Sequence, residues 1–189
     1  MSKFKKALLG SIAPLLLGSM LGVATQAVAS DERLYGRYTA DNELYTPRDH
    51  REWVFIGASV TPNDMNDDAA AFPEFHNVYL DPGSYAHWKK TGEFRSGSVI
   101  VKELVSVGSK AAASGNGYFP GEYGGIAAMV KDAKRYPDKP GNWAYFGFDG
   151  KSRHGAIQED SACSACHQQN AADDQVFTQF YPVLRAAKP

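Results

Sequence analysis

Ser98-Val99-Ile100-Val101-Lys102-Glu103-Leu104-Val105 is the clearest β-strand signal in this chain, because β-branched and apolar residues follow one another without a breaker. Side chains alternate between the two faces of a strand, so Ile100, Lys102 and Leu104 share one face. Both faces are largely apolar, which predicts a strand buried on both sides. A lysine there is unusual. It reaches the surface or pairs with a carboxylate, or it is a neutral, nucleophilic amine directed at a bound group.

Other segments predict further strands and short helices around this one. Three β-rich runs, Trp53–Val60, Phe75–Leu80 and Trp143–Phe148, are bounded by turn residues. A short helix is predicted to begin at Pro82, with Asp81 as its N-cap, and to end at Gly92. About four strands and a few short helices therefore predict an α+β, β-rich fold.

The remaining segments carry weaker signals. Apolar residues at helical spacing predict a helix over Ile126–Tyr136, and a final helix is expected over Asp174–Tyr181, limited by Pro182. The small residues of Gly108–Gly125 predict a long loop. Ser30–Arg51 is polar and is expected to lie as an arm on the domain.

Cys163-Ser164-Ala165-Cys166-His167 holds the only two cysteines of the chain and has 22 residues after it. In this C-x-x-C-H pattern each thiol can add to a haem vinyl group, and the histidine becomes an axial iron ligand. A thioredoxin-like site would follow an early strand, and a zinc site would need two more ligands. A disulfide across two residues would be strained. The pattern therefore predicts a covalently attached c-type haem on a short C-terminal helix that begins near Asp160.

The N-terminus has the pattern of a secretory signal peptide. Lys3, Lys5 and Lys6 precede an apolar stretch that ends in Ala27-Val28-Ala29, an A-x-A cleavage site. We expect residues 1–29 to be removed and residues 30–189 to form a single domain in the periplasm. This is the compartment in which c-type haem is attached to proteins. Loss of three lysines changes the formal net charge from −1 to −4. This acidic balance excludes nucleic acid as an expected partner, and no later segment predicts membrane insertion.

Most of the predicted mature chain, from Arg51 to Arg185, resembles the cytochrome P460 family of periplasmic haem proteins that oxidise hydroxylamine. The resemblance is carried by long runs, which are far more specific than C-x-x-C-H alone. These runs are Tyr85-Ala86-His87-Trp88-Lys89-Lys90-Thr91-Gly92-Glu93-Phe94, Val101-Lys102-Glu103-Leu104-Val105-Ser106-Val107-Gly108, Gly115-Asn116-Gly117-Tyr118-Phe119 and Pro140-Gly141-Asn142-Trp143-Ala144.

The resemblance implies a mostly antiparallel sheet with flanking short helices, a homodimer, and a lysine bonded covalently to the haem. Lys102 matches that lysine, whereas Lys89 and Lys90 read as surface residues at the end of a helix. On the distal side the family's arginine is replaced by His76, which shares a strand face with Val78 and Leu80. A core histidine is the alternative interpretation.

A distal carboxylate is also implied, in a segment before the haem motif that is hard to align. Glu159 and Gln158 are the candidates there, and a solvated loop is the alternative for each. The distal residue would accept protons released from the substrate.

The implied activity is oxidation of hydroxylamine, to nitrous oxide or to nitric oxide and nitrite, with a soluble periplasmic c-type cytochrome as electron acceptor. Two other classes remain open. A nitric-oxide-binding β-type cytochrome c′ would lack the lysine, and an electron-transfer cytochrome would need a second axial ligand. Neither Met65, in a polar loop, nor Met129, on the predicted helix, is an obvious one.

Overall fold

A five-stranded antiparallel sheet forms the centre of the molecule. The computed structural model describes residues 34–148 and 151–189, so the expected signal peptide lies outside the described residues. The strands of the sheet follow the order β2-β3-β4-β7-β8. They span Val54–Val60 (β2), Phe75–Leu80 (β3), Val99–Val107 (β4), Pro120–Lys131 (β7) and Trp143–Phe148 (β8).

Short elements complete the architecture. Leu44–Tyr45 (β1) pairs with His154–Gly155 (β9), and Ala111–Ala112 (β5) pairs with Gly115–Asn116 (β6). The helices are Pro82–Thr91 (α1), Ser164–Asn170 (α2) and Pro182–Ala187 (α3). Within the described part of the chain, no helix has the length and apolarity needed to cross a membrane. The β-rich α+β fold predicted from the sequence is confirmed.

Strand β4 lies in the middle of the sheet and is covered on both faces. The face that bears Ile100 and Lys102, here called the lysine face, packs against α1, α3 and the C-terminal segment through Trp88, Val176 and Leu184. The opposite glutamate face bears Glu103 and is covered by the N-terminal arm. Leu44, Trp53 and Tyr136 pack there against Val99, Val101 and Phe146. The strand is therefore buried on both sides, as its two apolar faces predicted.

Helix α1 begins and ends as the sequence predicted. The Asp81 carboxylate accepts a hydrogen bond from the Ser84 N–H at 2.8 Å, and Pro82 occupies the first turn. Gly92 ends the helix in the left-handed conformation, with φ of 70°. Asp81 is fully buried and also accepts from the Val99 N–H at 2.8 Å. One carboxylate therefore caps the helix and joins it to the central strand.

The predicted helix over Ile126–Tyr136 is wrong, because residues up to Lys131 belong to β7. Ile126, Met129 and Val130 have helical spacing, but they lie on a strand that is buried on both faces. Such a strand puts apolar residues at nearly every position, so periodicity cannot separate it from a helix.

Two other predictions from the sequence are also wrong for part of their segments. The expected loop Gly108–Gly125 contains the β5–β6 hairpin and the first half of β7. The final helix expected at Asp174–Tyr181 is a 3₁₀ turn at Thr178–Phe180. The helix proper, α3, starts at Pro182, because proline suits the first turn of a helix.

Candidate haem site

The C-x-x-C-H motif lies at the start of α2, against strand β8. Cys163 is the N-cap residue, and the seven-residue helix begins at Ser164, four residues later than predicted. Cys163 is half-buried and packs against the core of the lysine face, whereas Cys166 is exposed. Both thiols are free. Burial raises the pKa of the Cys163 thiol, so this group is held in its protonated form at neutral pH.

His167 is fixed by one hydrogen bond and two aromatic rings. Its Nδ1 lies 2.7 Å from the main-chain carbonyl oxygen of Gln175. A carbonyl only accepts, so Nδ1 carries the proton and Nε2 keeps its lone pair. The rings of Tyr145 and Phe177 meet the imidazole edge-on, with centroids at 4.8 and 4.7 Å. Burial lowers the pKa of His167, so a neutral imidazole with a free Nε2 is available for a metal.

The Gln175 carbonyl is presented by an unusual tight turn. Asp174 and Gln175 both have positive φ, 46° and 60°, although neither is glycine. The Val176 N–H closes the turn onto the Asp173 carbonyl at 2.7 Å. The Gln175 side chain accepts from the Tyr145 hydroxyl at 3.1 Å and donates to the Pro140 carbonyl at 2.5 Å. These bonds hold two residues in a conformation that costs L-amino acids free energy.

Lys102 lies at the centre of the lysine face, opposite Val78 on β3 and Ala127 on β7. Its Nζ lies 4.3 Å from the centroid of the Phe72 ring, and among the described residues it forms no ion pair. Burial is the main cause that lowers the pKa of Lys102, which favours the neutral amine.

The electrostatic neighbours of Lys102 show what it faces. Negative charge on Cys163, Glu74 and Cys166 would each oppose the lowering of its pKa. Cys163 packs against the core of the lysine face, so the lysine and this thiol lie on the same side of the sheet. The adjacent Glu103 points to the opposite face, where Arg51 binds it with Nε at 2.7 Å.

His76 lies on the lysine face, opposite Leu104 of β4. Burial and, to a smaller extent, the positive charge of Lys102 lower the pKa of His76 to about 4, although Glu74 opposes the change. The imidazole is therefore neutral at pH 7. Its Nε2 is buried and has no hydrogen-bond partner among the described residues. The same is true of Oε2 of Glu74.

The two candidates in the segment before the haem motif lie in different surroundings. Gln158 is half-buried, and its side chain occupies the space beside Gly147, at 3.4 Å from where a Cβ would stand. Gly147 is paired with Ala127, which is paired with Lys102, so Gln158 reaches the lysine face. Glu159 is exposed, and its main-chain carbonyl accepts from the Ala162 N–H at 3.0 Å.

Residues 47–178 match the family described as cytochrome P460. The chain belongs to the cytochrome P460 family. Membership makes it a c-type haem protein. The match covers the whole of the central sheet, the C-x-x-C-H motif and the turn that presents the Gln175 carbonyl. No curated protein matches the chain significantly.

The side chains of this cytochrome P460 fit a c-type haem. Two free thiols and an imidazole with an uncommitted Nε2 stand on one helix, as thioether attachment and axial ligation require. Tyr145 and Phe177 supply apolar ring surface beside the imidazole. Lys102 faces the same side from the sheet.

Several site residues carry no motif and were not identified from the sequence. Phe72, Tyr145 and Gln175 contact the site through segments that are distant in the chain. Glu74 had one usable signal, because it is two residues before His76, and an extended chain places such residues on one side. Its position ahead of the predicted strand concealed this.

Proposed function

We propose that this cytochrome P460 is a periplasmic hydroxylamine oxidase. In this proposal Cys163 and Cys166 form thioethers with the haem, His167 is its axial ligand, and Lys102 is joined to the macrocycle. The observation that carries the proposal is a half-buried lysine at the centre of the sheet, on the face against which Cys163 of the motif packs. Removing an amine from water without giving it an ion-pair partner is destabilising. Such groups are found most often at functional sites.

Each residue has a defined task. The haem, when bound, supplies an iron centre that accepts electrons from hydroxylamine. His167 is oriented by the Gln175 carbonyl, and that hydrogen bond makes the imidazole a better donor. Lys102 is able to form a carbon–nitrogen bond once its amine has lost a proton, which the lowering of its pKa favours. His76, Gln158 and Glu159 are the candidates from the sequence for distal proton transfer, of which His76 and Gln158 lie on the lysine face.

Tryptic mapping of the purified holoprotein tests the cross-link. Trypsin cuts after free lysine, so an unmodified Lys102 gives separate peptides 96–102 and 103–110. A cross-linked Lys102 resists cleavage, and peptide 96–110 is then found joined through haem to peptide 154–185. A free peptide 96–102 would contradict the proposal and favour a gas-binding cytochrome c′ of the β type.

Matched variants connect the cross-link to the activity. We expect Lys102→Met to keep thioether-bound haem and to lose both the cross-link and hydroxylamine-dependent reduction of a soluble c-type cytochrome. Lys90→Met changes an exposed lysine at the end of α1 and should retain both. Equal turnover in the two variants would separate the activity from Lys102.

Export and assembly are separate parts of the proposal. We expect the mature protein to begin at Ser30, which N-terminal sequencing of the periplasmic fraction checks. We expect a homodimer, which sedimentation equilibrium checks.

A further inference from the structure

Glu74 is a half-buried residue with one fully shielded carboxylate oxygen, and no motif identifies it. It lies in a bend after Pro73 and immediately before β3. Its Oε2 is shielded from solvent and has no hydrogen-bond partner among the described residues. An unsatisfied buried carboxylate oxygen is destabilising, so a group outside the present set of contacts is expected to bind it.

Contacts of Phe72, two residues before Glu74, place this segment at the candidate site, because its ring packs against both Lys102 and His76. The negative charge of Glu74 opposes the lowering of the pKa of both side chains. The Lys102 amine nevertheless lies over the Phe72 ring. Its bonding to haem would also remove the ammonium charge that could otherwise neutralise Glu74.

His76 is the second group with an unused polar atom. Its Nε2 is buried without a partner, and the ring of Phe72 packs edge-on against it at 6.0 Å between centroids. Glu74 Oε2 and His76 Nε2 therefore offer two hydrogen-bonding atoms on the side of the sheet that faces the C-x-x-C-H motif. A small polar molecule such as hydroxylamine, which both donates and accepts, matches this pair.

The other candidates are poorer proton acceptors. Gln158 has an amide, which takes up no proton near neutral pH. Glu159 is exposed, where solvent screens its charge. The imidazole of His76 is neutral at pH 7, because burial lowers its pKa to about 4, and its buried Nε2 is suited to hydrogen bonding.

Glu74 also has a path to solvent. It borders an open cavity of about 360 Å³ whose walls carry Asp64, Asp68 and Lys110. The Asp64 carboxylate binds Lys110 at 2.6 Å at the surface. A proton taken up by Glu74 therefore has a polar exit that does not pass through the protein core.

We infer that Glu74 is the distal proton acceptor of this protein and that His76 hydrogen-bonds the substrate beside it. The inference rests on the proposed function. When two hydroxylamine molecules give nitrous oxide and water, four N–H or O–H protons and four electrons are released. The Glu74 carboxylate takes the protons in turn and passes them to the cavity, and the electrons leave one at a time to a c-type cytochrome.

The test compares holoprotein Glu74→Gln with Glu93→Gln, which makes the same change at an exposed position just after α1. We expect Glu74→Gln to lower the turnover of hydroxylamine by roughly 10²- to 10⁴-fold, the range for loss of a general base. Hydroxylamine affinity, from spectral titration of the ferric protein, should change by only a few-fold. Glu93→Gln should match the wild type, and the cross-link should form in both variants.

A second readout is independent of turnover. In the ferrous carbon monoxide complex, a nearby negative charge opposes electron donation to the ligand and raises the C–O stretching frequency. Glu74→Gln should therefore shift this frequency downwards, and Glu93→Gln should not. An unchanged C–O frequency in Glu74→Gln would overturn the assignment of Glu74. Turnover of this variant within about three-fold of the wild type would do the same, because loss of a general base lowers turnover by about a hundredfold or more. If the wild type does not oxidise hydroxylamine but Glu74→Gln still shifts the C–O frequency, the proposed function and the acceptor role are overturned. The position of Glu74 beside the ligand is then upheld.

Discussion

The turn that presents the Gln175 carbonyl to His167 makes a prediction that separates strain from hydrogen bonding. Gln175 has a φ of 60°, and its side chain binds the Tyr145 hydroxyl and the Pro140 carbonyl. We expect Gln175→Ala to remove these two bonds, and the longer one that Ser164 Oγ donates at 3.4 Å, while keeping the strained backbone. We expect Gln175→Gly to remove the same bonds and also to relieve the strain, because glycine adopts positive φ freely.

The magnitudes follow from these contacts. Each lost side-chain hydrogen bond costs about 1 kcal/mol, and the hydroxyl of the buried Tyr145, left without its partner, adds to this. The free energy of unfolding of Gln175→Ala should therefore fall by about 2–3 kcal/mol. A left-handed conformation costs an L-residue about 1–2 kcal/mol, part of which is offset by the larger unfolded-state entropy of glycine. Gln175→Gly should therefore be about 1 kcal/mol more stable than Gln175→Ala.

Urea unfolding of the oxidised holoprotein measures both differences, with Gln169→Ala, an exposed glutamine on the same helix as His167, as the matched control. The control should stay within about 0.5 kcal/mol of the wild type. Axial ligation should survive in both variants of Gln175, because His167 binds its main-chain carbonyl. A glycine variant less stable than the alanine variant would refute the role given to backbone strain.

Two further predictions concern buried titratable groups. Asp81→Ala should lower the free energy of unfolding by roughly 3 kcal/mol, because it removes the N-cap of α1 and leaves the buried Val99 N–H without its acceptor. Thermal and urea unfolding measure this difference. A loss below about 1 kcal/mol would contradict the prediction. His76 has a pKa of about 4 in the folded protein against about 6.5 when unfolded, so the unfolded state binds more protons and stability falls as the pH drops from 6.5 towards 4. At pH 5 the free energy of unfolding should be lower by about 1 kcal/mol, which is half the value expected from the full pKa shift because the side chain is partly exposed. In His76→Gln the midpoint of urea unfolding should therefore change less between pH 7 and pH 5 than in the wild type.

The sequence predicted those elements whose local signals agree with their tertiary surroundings. Strand β3 was predicted with its observed bounds, Phe75–Leu80, because it lies between a polar loop and a helix N-cap. Strand β7 was predicted as a helix, because burial on both faces removes the alternation that identifies strands. The error arose from neighbours on both sides of the sheet, which a local pattern does not contain.

The candidate site shows the same division. The C-x-x-C-H motif lies in one short segment, and alternation along β3 was enough to put His76 on the same face as Val78 and Leu80. The support of His167 depends on the Gln175 carbonyl, eight residues later, and on Tyr145 from β8. Sequence distance hides such contacts. The exposed position of Glu159 and the buried oxygen of Glu74 likewise follow from packing alone.

The two proposed attachment points of the haem differ in rigidity. This difference explains how a bond from Lys102 would hold the haem in position. Helix α2 has only seven residues, most of them partly or fully exposed, and a helix of that length is not stable by itself. Lys102 lies on the central strand, paired on both sides. Thioethers alone would tie the haem to the less stable element. A bond from Lys102 would fix the opposite edge to the most stable one, so the haem would keep its position relative to Glu74 and His76 even when α2 moves.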